Sequence, residues 1–333
     1  MSRGVPHLLV VCAMAGAAAS IVSGGCSSSS GAGATFTPPA TASPTPTPFP
    51  TPALLANGQA SPFALAAGNG EVFWSTEGDG AIWRLLAAGG TPMAFATYAA
   101  PSHAFALDAG YLYVTFNGAT PPFPLWKIPR AGGTPTAIAQ TGRVEGITVD
   151  GSQAYWTERD TGNVLSVSLG GGTPFAFATA QAVPLGIADQ PFWTYWAEQG
   201  TGSFWREPKI SGTPERVAQG FTTIFSLTVA SGYIYFLEEN NGRLCRIAAG
   251  GGNVGSAEVL AQGLAQPRYF WCDGTTAYWA ERGGGSVARL PITAGTGVEP
   301  LASGLNDPLQ VAIDGSWLYW TEHQGARVWR TLR

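Results

Sequence analysis

Charge is what this chain has least of. Asp, Glu, Lys and Arg make up 11% of its 333 residues, against roughly 25% in ordinary soluble domains. The shortage touches both signs, with 17 Lys+Arg, 21 Asp+Glu and a net charge of −4. No basic cluster stands out, and a nucleic-acid binder needs one to displace condensed counterions, so no nucleic-acid partner is expected. With three His and four Cys, few residues remain for metal or nucleophilic chemistry. None falls in H-E-x-x-H, G-x-S-x-G or P-loop spacing. The GGG and AGGT stretches precede strands rather than helices, which excludes a helix-based phosphate cradle. Long runs of Leu, Glu, Lys and Ala, the material of a helical protein, are missing as well. No cofactor is predicted; a divalent metal is the one prosthetic group the histidines would suit.

What is abundant is Gly (45), Pro (25) and Trp (12), the profile of many short strands joined by tight turns. An aromatic pair recurs seven times: Phe73-Trp74, Tyr113-Val114, Tyr155-Trp156, Tyr195-Trp196, Tyr235-Phe236, Tyr278-Trp279 and Tyr319-Trp320. The intervals between first members are 40, 42, 40, 40, 43 and 41 residues. Strand-like repeats of about 40 residues mark a radial array. Each copy reads as four strands, A to D. Asp-Gly turns (Asp150-Gly151, Asp273-Gly274, Asp314-Gly315) join A to B, a hairpin signal. The seventh copy stops after strand C at Arg333, while residues 51–58, TPALLANG, read as a strand D. The sequence therefore predicts an all-β, seven-bladed β-propeller of four-stranded blades, its last blade closed by an N-terminal strand that removes an open edge.

The N-terminus reads as an export signal. Arg3 precedes an apolar run at residues 8–22, LLVVCAMAGAAASIV, long enough for a signal peptide and short for a membrane span. Ser23-Gly24-Gly25-Cys26 then resembles the lipobox of bacterial lipoproteins. That resemblance implies lipidation at Cys26 and a lipid-anchored location in the cell envelope, on the periplasmic face of an outer membrane or the cell surface. Residues 1–25 are thus assigned to the signal, 26–51 to a Ser/Gly then Pro/Thr-rich disordered tether, and 52–333 to the propeller. Pro at every second or third place favours extended polyproline II in the tether.

The YWTE, YWAE and YWTEH segments, followed by an Arg-ended strand, resemble the YWTD repeats of low-density-lipoprotein-receptor-type propellers. This resemblance implies an extracellular propeller that binds protein ligands. Glu stands here in place of that family's Asp, and seven anchors replace its six. Glu158, Glu198, Glu238, Glu281 and Glu322 share one phase, and Arg84, Arg206, Arg246, Arg289 and Arg330 share another. A carboxylate and a base repeated in blade after blade are expected to be scaffold.

Function is expected where the copies disagree. At the start of strand A they read Phe63, His103, Glu145, Leu185, Phe225, Arg268 and Leu309. Strand A lines a propeller's channel, so His103, Glu145 and Arg268, with neighbouring Tyr269 and Gln310, form a candidate binding rim. Phe123 joins them, in a B–C hairpin three residues longer than the others and rich in Pro. His103 and His323 fall on the same face, and with Glu322 they are candidate metal ligands or acid–base groups. That economy resembles streptogramin-type lyases, which are also seven-bladed. Cys245 and Cys272 occupy apolar strand positions in adjacent blades, leaving a bridge between them open. The expected function is a monomeric, membrane-tethered binding module for a protein, peptide or glycan; the alternative is a metal-assisted lyase or hydrolase at the channel mouth.

Overall fold

The A–B turns show how the local sequence sets the strands. Asp150 Oδ1 accepts hydrogen bonds from the Ser152 and Gln153 amides at 3.0 and 2.8 Å. Asp273 Oδ1 accepts from the Thr275 and Thr276 amides at 2.8 and 2.9 Å, and Asp108 does the same for Gly110 and Tyr111 at 2.7 Å each. A short acceptor side chain closing on amides two and three residues ahead satisfies the turn without a second strand. The next residues then alternate between faces as strand B.

This is a computed structural model that describes residues 50–333 other than 99, 211, 251–256 and 294–296. The chain divides into two units, Met1–Thr47 and Pro48–Arg333. The signal segment, Cys26 and nearly all of the tether lie outside the described residues. The described strands form seven separate four-stranded antiparallel sheets, a seven-bladed propeller, and the described residues contain no helix. Blade one consists of Pro62–Gly68, Glu71–Thr76, Ala81–Leu86 and Met93–Thr97 as strands A to D. Blades two to seven begin at Phe105, Val144, Pro184, Leu227, Pro267 and Pro308.

The aromatic repeat is the core. Trp74, Trp156, Trp196, Trp279 and Trp320 are all fully buried in strand B. Each such side chain withdraws on the order of 150–250 Å² from water, about 4–6 kcal/mol at about 25 cal/mol/Å² before the entropic cost of ordering. The repeated Glu and base have separate tasks. Glu198 Oε1 accepts from the Ala182 amide at 2.8 Å, and its Oε2 from Trp205 Nε1 at 2.8 Å. Glu322 does likewise with the Asn306 amide (2.5 Å) and Trp329 Nε1 (2.8 Å). These carboxylates hold the loop from the preceding strand D. The bases stitch one blade to the next: Arg84 Nη1 donates to the Arg130 carbonyl at 2.8 Å, Lys127 to Leu169 at 3.0 Å and Arg206 to Ala249 at 3.0 Å. Arg206, Arg246 and Arg330 also sit 4.1, 4.5 and 4.3 Å over the rings of Trp193, Tyr233 and Trp317, a cation–π placement.

The ring closes as the sequence predicts. Ala53–Asn57 pairs antiparallel with Arg327–Leu332, Ala53 opposite Arg330 and Asn57 opposite Arg327. Further bonds cross the seam between blades seven and one. The Leu65 amide donates to Gln310 Oε1 at 3.1 Å, Thr321 Oγ1 to the Phe63 carbonyl at 3.2 Å, and Arg330 to the Ala87 carbonyl. Cys245 and Cys272 are both free and buried, and burial pushes each thiol up to about 11.

Candidate functional site at the channel mouth

Strand A brings seven backbones close to the channel axis. Its second residues are Ala64, Ala104, Gly146, Gly186, Ser226, Tyr269 and Gln310, five of them small. The space explains this: a Cβ on Gly146 would come within 2.6 Å of the Leu185 carbonyl oxygen, and one on Gly186 within 2.8 Å of Ser226 Cα. Tyr269 and Gln310 are the two large members, and both line a channel cavity of about 190 Å³ with Glu145 and His103. Two positions of the first ring turn inward: Leu185 and Leu309 are buried in the blades. Phe63, His103, Glu145, Phe225 and Arg268 remain partly exposed.

A second ring sits above it, one residue past the repeated Glu: Glu77, Asn117, Arg159, Gln199, Glu239, Arg282 and His323. In every blade the amide of this residue bonds the carbonyl just before the start of strand A. Examples are Glu77 to Ser61 at 3.0 Å, Gln199 to Val183 at 3.0 Å and His323 to Asp307 at 2.9 Å. That carbonyl's residue has positive φ in five blades, at Ser61, Val183, Thr223, Gln266 and Asp307. The backbone is thus constant while all seven side chains are polar and of five kinds.

The two rings meet in a chain of charges. Glu77 stands between the histidines, with Oε2 2.9 Å from His323 Nε2 and Oε1 2.9 Å from His103 Nε2. The second contact lacks hydrogen-bond alignment. His323 Nδ1 lies 3.2 Å from Asp307 Oδ2, and Asp307 Oδ1 accepts from Arg282 Nε at 2.7 Å. The His103 and His323 imidazoles hold the Glu77 carboxyl down at about 2. Glu77, and then Asp307, hold His323 above the usual imidazole value against the opposing effect of burial. Burial raises Asp307, but Arg282 and His323 outweigh it and keep the carboxyl low. Phe63 packs on His103 (4.7 Å between centroids) and edge-on to Tyr269 (6.3 Å) and His323 (6.1 Å). A cavity of about 410 Å³ opens here, lined by Phe63, His103, Glu145, Arg268 and Tyr269 together with Arg143, Arg159 and Asp160.

The fold brings most of the candidate rim residues to one opening. His103, Glu145, Arg268 and Tyr269 line the mouth, Gln310 the channel below it, and His323 shares their face. Two expectations are corrected. Phe123 begins strand C of blade two (Phe123–Pro129), pairs with Thr141 and is only 6% exposed; its ring packs against Gly118 inside the hairpin, leaving Pro121 and Pro122 exposed. Glu322 is 1% exposed and spent on Asn306 and Trp329; strand alternation sends it away from the adjacent His323. The carboxylate that meets both histidines is Glu77, which is not among the candidate site residues expected from sequence. Its signal was a phase slip: in the first copy Thr76 takes the repeated Glu position and Glu77 falls one residue later, which turns it to the other face. Among the described residues no three His, Cys, Asp or Glu side chains converge as metal ligands. The imidazoles and carboxylates here bond one another.

Fold and mouth define a closed seven-bladed propeller with a polar, blade-specific opening. No protein-family pattern matches the chain, and neither does any curated protein. Among solved structures, virginiamycin B lyase from Staphylococcus aureus superposes with a TM-score of 0.70 at 15% identity, over 85% of this chain and 98% of that one. A streptogramin B lyase gives 0.70 at 16%, over 85% and 97%. A chain of the nidogen/laminin complex gives 0.57 at 19%, over 75% and 93%. At such identities these likenesses show the fold alone.

Proposed function

We propose that the protein is an exported, membrane-tethered lipoprotein, lipidated at Cys26, whose propeller binds a protein, peptide or glycan ligand at the channel mouth. One observation carries the binding reading: two rings of side chains on an invariant backbone frame are the places where blades otherwise alike diverge in chemistry. A repeated scaffold with variable residues at one opening is how a symmetric array acquires an asymmetric ligand site. The nidogen neighbour, crystallised in complex with laminin, is one propeller of this fold engaged with a protein.

The entry point of the chain fits a tether. Thr331 Oγ1 bonds the Pro50 carbonyl at 3.1 Å, at the A–B turn end of blade seven, and residues 53–57 then run toward the mouth. A tether would thus enter the propeller on the face opposite the mouth.

The lyase or hydrolase reading keeps one specific observation in its favour, the two imidazoles on the single carboxylate of Glu77 beside an open cavity. An inactive form of the virginiamycin B lyase neighbour was crystallised with quinupristin. The test is capture from envelope extract by the intact protein and by a Phe63→Ala/Tyr269→Ala variant, with metal analysis of the purified protein alongside. A partner held by the first and lost by the second supports the binding module. Capture indifferent to the mouth overturns it. A stoichiometric metal lost in His103→Ala/His323→Ala moves the assignment to the enzyme. Cys26→Ser is expected to release the protein from the membrane fraction; retention would overturn the anchor.

A further inference from the structure

Three arginines line the mouth cavity, and two of them are paired. Arg143 Nε lies 3.2 Å from Asp160, and Arg159 Nη1 lies 3.8 Å from Glu145. Among the described residues no carboxylate comes within ion-pair distance of Arg268. Its Nε is buried without an acceptor. What holds Arg268 is aromatic: its guanidinium carbon is 3.9 Å from the centre of the Phe225 ring and 5.5 Å from that of Tyr269. The Tyr269 side chain also hydrogen-bonds the guanidinium, and stacking holds the plane of its remaining outer N–H donors in place.

Charge and shape narrow the acceptor. Arg143, Arg159 and Arg268 line the cavity together with Glu145 and Asp160, three cations against two anions. A single negative charge balances the set, which suits a carboxylate better than a doubly charged phosphate. The guanidinium fork matches a planar carboxylate in two parallel hydrogen bonds. Beside it, Phe63 and Tyr269 meet edge to face at 6.3 Å and make an apolar corner. The volume of about 410 Å³ lies in the range of small-ligand sites.

Building on the reading of the mouth as a ligand site, we propose that this cavity binds a monoanionic carboxylate carried on a flat aromatic group. Arg268 takes the carboxylate, and Phe63 and Tyr269 take the ring. Two sources share this chemistry: a free aromatic acid, and the C-terminal carboxylate of a peptide ending in an aromatic residue.

The experiment titrates the intact protein with 3-phenylpropionate, with a pentapeptide ending in Phe, and with the amide of each, followed by calorimetry and by the NMR signals of Tyr269 and Arg268. At least one acid is expected to bind roughly tenfold or more tightly than its amide, the scale of a charge-assisted hydrogen-bond pair. Arg268→Gln should erase that preference, and Arg268→Lys, which keeps the charge but not the fork, should retain part of it. Tighter binding of the peptide assigns the peptide terminus, and equal or tighter binding of the free acid assigns the small molecule. Equal affinity of acid and amide, an acid preference unchanged in Arg268→Gln, or no binding of any probe overturns the proposal. The comparison of acid with amide on the unaltered protein stands even if a variant fails to fold. The envelope capture with Phe63→Ala/Tyr269→Ala does not depend on a carboxylate, so a failure here and a failure of the binding reading are told apart.

Discussion

His323 Nε2 lies 2.9 Å from Glu77 Oε2, joining residues 246 positions apart in the chain at the point where the propeller closes. His103 on the far side makes Glu77 the middle of an ionic staple across blades seven, one and two.

That staple makes stability depend on pH. The pKa of His323 is raised in the folded protein, so its contribution is complete below the unfolded value of about 6.5 and disappears as pH rises through the folded value. Glu77 is depressed to about 2; its contribution is complete above the unfolded value and disappears as pH falls toward 2. The staple is therefore strongest between about pH 4.5 and 6.5. The groups are partly exposed, which limits the effect to about 1 kcal/mol. Glu77→Gln should lower the melting temperature in that window and flatten its pH dependence, as read by circular dichroism. An unchanged profile would show that the staple adds nothing to stability.

Glu207 works in the opposite sense to Glu77. It stands where the other blades place Leu85, Ile128, Val167, Ile247, Leu290 and Thr331, cross-strand from Thr194. Its Oε2 and the Thr194 hydroxyl are buried without partners, and burial pushes the carboxyl up to about 7. A raised carboxyl adds stability that is complete below its unfolded value and lost as pH climbs through about 7. Chemical unfolding should show stability falling between pH 5 and 8, and Glu207→Gln should remove that slope while leaving the Glu77 effect in place.

The repeated carboxylate and its neighbour at the mouth should behave differently on truncation. Glu198→Ala strips acceptors from the Ala182 amide, Trp205 Nε1 and the Thr201 hydroxyl, and buried donors left unmade cost about 1–3 kcal/mol each. A loss of about 2–4 kcal/mol is expected by urea titration. Glu239→Ala, on the variable ring, should stay within about 0.5 kcal/mol. Equal losses would contradict the division into scaffold and rim.

Deleting residues 50–57 removes the outer strand of blade seven and bares the backbone of Arg327–Leu332. An unpaired edge recruits other chains. The truncated protein should melt lower than the full chain and form oligomers whose size grows with concentration in light scattering; a monomer of unchanged stability would show that closure is dispensable.

The buried Trp and Tyr residues of strand B, the scaffold Glu at 158, 198, 238, 281 and 322, and the closing segment TPALLANG were all legible because each is a local pattern repeated at fixed phase. Hairpin length predicts an exposed Phe123, but strand C of blade two starts at that residue. Adjacency to His323 in sequence puts Glu322 on the opposite face of the strand.

By itself the sequence determined the class: a period near 40, Asp-Gly turns and one displaced strand permit little besides a closed ring of seven four-stranded blades. Hydrogen-bond register and alternation act over a few residues, so they are written locally and can be read locally. Only the tertiary structure decided the mouth. Ring closure brings residue 77 between 103 and 323, and the convergence of seven strands stacks Arg268 on Phe225 and leaves it without a carboxylate. Those relationships depend on which blades end up side by side, and no single repeat contains them.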